Sequence, residues 1–190
     1  IELLELEGEP ISLKGYKDID ANLREADEIE GDEMLEAIGD ETYKEAIISA
    51  YEYLRKYKSQ YLTLDKLETY SPKYLAMINN IDSPDYRGLH LVYSQFRSME
   101  GIGIFSLALE ANGYAQFKIK KTGVDSWELN MSEEEMGKPT YALYTGTEDA
   151  EEREIIRNIY NGMWDNIPNN IAAQLRQKSS NNNLGEIIKV

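Results

Sequence analysis

The stretch Leu89-His90-Leu91-Val92-Tyr93-Ser94-Gln95-Phe96-Arg97 sets the fold class of this chain. Its first five residues form a short apolar run, the pattern of a strand buried on both faces. Ser94, Gln95, Phe96 and Arg97 then place a hydroxyl, an amide and a guanidinium at the strand's carboxyl end. A helix is predicted next, from Gly101 to Asn112, with Ile104, Phe105, Ala108 and Leu109 on its apolar face and Asn112-Gly113 closing it. Ala115, Phe117 and Ile119 alternate with polar residues along Tyr114–Lys120, which predicts a half-buried strand.

Further along, Thr140-Tyr141-Ala142-Leu143-Tyr144 predicts another strand, and Thr145-Gly146-Thr147 a turn opening onto a helix. That helix, about Asp149 to Tyr160, has acids in its first turn and an apolar stripe of Ile155, Ile156 and Ile159. Residues 121–138 are polar and read as an irregular insertion. A helix is predicted near Ala172–Lys178, and the chain closes on the strand-like Glu186-Ile187-Ile188-Lys189-Val190. Strand and helix alternate, so the expected architecture is α/β, with a parallel sheet flanked by helices. A strand-like run that stops at the last residue also leads us to expect a fragment of a larger protein.

Upstream, Ala46, Ile47, Ala50, Tyr51 and Leu54 fall on one helical face, predicting a helix over 40–60. Ser71-Pro72 opens a second, because Ser is a good N-cap and Pro loses nothing at the first helical position. The chain therefore divides into an acidic, mainly helical segment, 1–64, and the α/β part, 65–190.

Charge follows that division. The 190 residues carry 20 basic and 35 acidic side chains, a formal charge of −15, of which −12 falls in residues 1–50. Glu25, Asp27, Glu28, Glu30, Asp32 and Glu33 crowd the Asp18–Glu36 stretch. Such a run is a solvated linker, or an acidic tail that screens a basic surface or mimics nucleic acid. Bulk charge thus argues against nucleic-acid binding, yet residues 51–190 are near balance at −3.

Most site chemistries are excluded. There is no Cys, hence no thiol nucleophile, disulfide or Cys-based zinc site. A phosphate-binding loop of the G-x-x-x-x-G-K-[ST] type is missing, since Pro139 follows Gly137-Lys138 and Ser132 replaces the first Gly. Gly101-Ile102-Gly103 begins a dinucleotide fingerprint that Ser106 breaks. His90, the single histidine, lies inside a predicted strand, where a core role outweighs a catalytic one. No metal site or catalytic residue is expected. Two loops remain. Ser94–Arg97 and Thr145–Thr147 both follow predicted strands, where α/β sheets carry their ligands, and the second opens a helix N-terminus suited to phosphate. The plainer alternative is that Thr147 or Asp149 caps the helix and Arg97 is a surface residue.

On these residues the chain resembles a known family. LHLVYSQFR (89–97) is similar to motif IV of the Snf-type superfamily 2 helicases, a hydrophobic strand followed by Ser-Gln-Phe. Leu143–Thr147, then Glu151-Glu152-Arg153 and Tyr160-Asn161, resembles the family's next block, and Ser71-Pro72-Lys73 its preceding Ser-x-Lys. The whole run is most similar to the helicases of nucleocytoplasmic large DNA viruses. The resemblance spans roughly 65–190 and implies part of the second RecA-like lobe of an ATP-dependent nucleic-acid helicase or translocase. It implies that Ser94, Gln95, Phe96 and Arg97 lie near the nucleic-acid backbone or brace the lobe interface, and that Thr145, Gly146 and Thr147 contact backbone phosphates, of DNA rather than RNA. ATP and Mg would be bound mainly by the first lobe, which would be this lobe's partner, and the arginine finger would follow Val190. The setting implied is intracellular, a virion or host cytoplasm, without a membrane. The fragment alone would not be catalytic. The alternative is a non-enzymatic RecA-like interaction module whose acidic arm binds a basic partner.

Overall fold

The computed structural model describes residues 41–96, 101–123, 126–145 and 149–190, with side chains from Ile48 onward. The acidic stretch Asp18–Glu36 lies outside the described residues, as do Arg97, Gly146 and Thr147.

The chain is mixed α/β with a small parallel sheet. Among the described residues, four helices come first: α1 (Glu41–Lys56), α2 (Lys58–Tyr61), α3 (Leu64–Tyr70) and α4 (Pro72–Asp82). Pro72 occupies the first turn of α4 as expected, but the Ser71 side chain makes no capping bond. After a loop come α5 (Ile102–Ala111), β1 (Ala115–Gln116), β2 (Ile119–Lys121), β3 (Trp127–Leu129), α6 (Glu133–Met136) and β4 (Thr140–Tyr141). The series ends with α7 (Ala150–Tyr160), a 3-10 turn at Trp164–Asn166 and α8 (Asn169–Lys178). Gly113, at φ +91°, turns the chain from α5 toward β1.

Two expectations need correction. Tyr114–Lys120 is not one strand: β1 pairs in parallel with β4, whereas β2 pairs antiparallel with β3. Ala115, Phe117 and Ile119 are all buried, as the alternation predicted, but the chain changes sheets between Phe117 and Ile119. Residues 121–138 are not an irregular insertion either. Trp127 is buried within the β2–β3 hairpin, and Ser132 and Glu135 form a reciprocal capping box that starts α6.

The parallel layer continues past β4 through the final residues. Val190 N–H donates to the Thr140 carbonyl at 3.3 Å, and Ala142 N–H donates to the Val190 carbonyl at 2.9 Å, the bond pair of a parallel bridge opposite Tyr141. On its other side, the Lys189 carbonyl accepts from His90 N–H at 2.9 Å. Leu89–Tyr93 therefore borders the layer through a single backbone bond and is not the fully paired buried strand that was expected. Leu91 and Tyr93 are 89% and 87% exposed.

Two cores flank this layer. Ile155, Ile156 and Ile159 of α7, with Ile171 and Leu175 of α8, Trp164 and Ile188, form one, and Ala142 packs on it. Leu62, Leu67, Ile78 and Ile81 join Phe105, Leu107, Leu109 and Tyr141 in the other. The apolar stripe read from α7 thus buries as its periodicity required.

Candidate nucleic-acid interface

Val92, Leu143 and Val190 all pack against the second core. The segments that follow Val92 and Leu143 therefore leave from residues on one face of the layer. They are not on adjacent strands, because Lys189–Val190 lies between them. At the usual strand spacing their bases sit about 10 Å apart.

Ser94–Phe96 folds back onto the start of α5. Ser94 Oγ accepts from Phe96 N–H at 3.1 Å, closing a local turn. The Phe96 carbonyl accepts from Ile102 N–H at 3.2 Å. Gly101 makes this approach possible. A Cβ there would stand 2.0 Å from the Phe96 oxygen and 2.5 Å from Ser94 Oγ. Behind it, Tyr74 Oη donates to the Gly101 carbonyl at 3.1 Å, and the Tyr74 ring packs on Phe105 at 5.2 Å. Gln95 is exposed, Phe96 is 51% exposed and Ser94 is partly covered.

Thr145 is partly buried at the end of the β4 stretch. Beyond it, Asp149 caps α7 by accepting from Glu151 N–H at 2.8 Å, which is the plainer of the two readings of this turn. Glu151 and Glu152 complete the first helical turn. The hydrogen bond from Lys121, at 2.6 Å, holds the Glu151 carboxyl below its usual range, so it is charged. An acid-capped helix start repels phosphate.

Two networks were not foreseen from sequence. Tyr141 Oη donates to Glu110 Oε1 at 3.1 Å, and Glu110 Oε2 pairs with Lys58. Burial first, then the Glu110 charge and hydrogen bond, raise the Tyr141 phenol well above its ordinary value. Tyr114 Oη donates to Asp82 Oδ1 at 2.6 Å, and Lys189 reaches the same oxygen at 3.1 Å. Burial, followed by the Asp82 bond and charge, raises Tyr114 as well. The signal lay in Glu110, an acid at the end of the apolar run Leu107-Ala108-Leu109. Both networks tie the helical half to the sheet.

His90 is a border residue of the layer, with its carbonyl accepting from Tyr160 Oη at 3.0 Å. Among the described residues no three carboxylate or imidazole groups converge to hold a metal ion, and no helix is long and apolar enough to cross a membrane. Comparisons with protein-family models, with curated proteins and with solved structures return no match to this chain.

Proposed function

We propose that this chain is part of the second RecA-like lobe of an ATP-dependent nucleic-acid helicase or translocase, and that it supplies backbone contacts from two strand-end loops. One observation supports the reading most. Lys189–Val190 bonds to His90 on one side and to Thr140 and Ala142 on the other. In this reading Ser94–Phe96 and Thr145 lie at the margin of the parallel layer at which α/β sheets carry ligands. Ser94 and Gln95 carry a hydroxyl and an amide there, groups able to donate to phosphate oxygens, and the sequence continues with Arg97. In this reading the nucleotide is held by the other lobe, the motor's steps come from closure of one lobe on the other, and this chain grips the strand without cleaving a bond.

A second reading is favoured by the acid cap of α7: an interaction module of the same architecture whose partner is not nucleic acid. Anisotropy of a labelled oligonucleotide with the purified chain separates the two. The first reading expects binding that Arg97→Ala weakens equally across base sequences. The second expects no binding.

A further inference from the structure

Tyr53, Tyr57, Tyr61 and Tyr70 form an unbroken run of ring contacts along α1, α2 and α3. The Tyr53 centroid lies 4.6 Å from that of Tyr57 and 6.1 Å from that of Tyr61, and Tyr61 lies 5.7 Å from Tyr70. The Tyr53 and Tyr61 hydroxyls are 3.2 Å apart. None of the four is buried, and Tyr70 is 61% exposed. Only Tyr61 packs against the second core. Core packing therefore accounts for one ring of the four.

The strip is also locally basic in an acidic chain. Tyr51–Tyr61 carries Arg55, Lys56 and Lys58 against Glu52, a balance of +2 within a total of −15. Lys56 Nζ stands 5.2 Å from the Tyr57 centroid, a cation held over a partly exposed ring. Lys58 is spent on Glu110, and Lys56 is the cation that stands over one of the strip's rings. Aromatic faces interleaved with cations are how proteins hold unpaired bases. The strip also leads to the interface described above. Tyr74, four residues after Tyr70, bonds to Gly101, on which Ser94–Phe96 folds.

We infer that Tyr53, Tyr57, Tyr61 and Tyr70 with Lys56 form a stacking strip for the bases of a single-stranded nucleic acid. The inference rests on the nucleic-acid reading and deepens it by naming the strand state. Stacking needs exposed base faces, which a duplex hides. Each stacked base contributes roughly a ten- to hundredfold factor in affinity.

The test uses the whole 190-residue chain and three labelled probes of about 15 nucleotides: oligothymidylate, an abasic strand with the same phosphates, and a duplex. Tyr70→Ser, at an exposed position, and Tyr57→Ser are compared with Lys56→Glu and Arg97→Ala, each after circular dichroism shows native helix content. We expect each tyrosine variant to weaken oligothymidylate binding about tenfold and abasic binding less than twofold. Lys56→Glu should weaken both strands, and the duplex should bind more weakly than oligothymidylate. Unchanged oligothymidylate binding in both tyrosine variants, with Arg97→Ala still weakening it, overturns the strip and leaves the loop reading standing. Loss in the tyrosine variants but none in Arg97→Ala supports the strip and overturns the loop contacts. No binding to any probe overturns both.

Discussion

Asn182 holds both backbone groups of Ile188: its Nδ2 donates to the Ile188 carbonyl at 2.8 Å, and its Oδ1 accepts from the Ile188 N–H at 3.0 Å. The same side chain donates to the Tyr160 carbonyl at 2.9 Å and accepts from Ile187 N–H at 2.7 Å. Its donors and acceptors are thereby all used, at 1% exposure. One amide thus ties the end of α7 to the segment that lies between His90 and Thr140. Gly162 lets the chain pass, since a Cβ there would meet the Asn182 backbone N at 3.0 Å.

Asn182→Ala should therefore be among the more damaging single substitutions. It leaves up to four backbone groups short of a buried partner, each costing about 1–3 kcal/mol. The expected loss is about 3 kcal/mol in urea unfolding, followed by the fluorescence of buried Trp164. A loss below about 1 kcal/mol would show that the final segment is held mainly by its apolar side chains.

Gly101→Ala tests the loop seat. The added methyl collides with the Phe96 carbonyl and Ser94 Oγ, so the loop must lift off the start of α5. Expected outcomes are a stability loss of about 1–3 kcal/mol and new protease cleavage near Ser94–Phe96. Oligonucleotide affinity should fall with it. Native protease resistance would mean the loop does not depend on this contact.

Alkaline titration should divide the 14 tyrosines. Tyr141 and Tyr114 are raised above the ordinary phenol value of 10.0. Their neutral forms are the folded-state forms, so the stability they contribute is complete below pH 10 and is lost as pH climbs through their folded values. Absorbance at the tyrosinate band should show an early class that ionises reversibly and a late class that ionises only with loss of helical circular dichroism. A single class with no coupled unfolding would contradict the burial of these two phenols.

Acid acts with the opposite sign. The Ser132 backbone and hydroxyl bonds hold the Glu135 carboxyl below its ordinary 4.5. Its contribution is present above pH 4.5 and is lost as pH falls through the lower folded value. Glu135→Gln should flatten the midpoint-against-pH curve below pH 4.5 by a small amount, because this group is largely exposed.

How much of this was legible depended on the range of the interaction. Ile155, Ile156 and Ile159 announced α7 because a helix stripe is set by local spacing, and Pro72 marked the start of α4 for a local reason too. Ser132 and Glu135 carry the capping-box spacing and were readable, though the surrounding acids masked them. The change of sheet after Phe117 was not readable. Burial alternates straight through it, and only pairing with β4 or β3 distinguishes the two halves. Leu91 and Tyr93 misled for the same reason: an apolar run does not say whether a neighbour covers it. At the candidate site, Ser94, Gln95 and Phe96 were found by their place after an apolar run. The roles of Gly101 and Tyr74 as their seat appear only in three dimensions.

If the Ser94–Arg97 and Thr145–Thr147 loops of this acidic chain grip a nucleic-acid backbone, oligonucleotide affinity must fall as salt rises. Each phosphate neutralised on a single strand adds about −0.7 to the slope of log affinity against log salt concentration. The expected result is a clearly negative slope for the 190-residue chain, shallower by about 0.7 in Arg97→Ala and by the same amount on every base sequence. Binding with no salt dependence, or a slope that Arg97→Ala leaves unchanged, would contradict it.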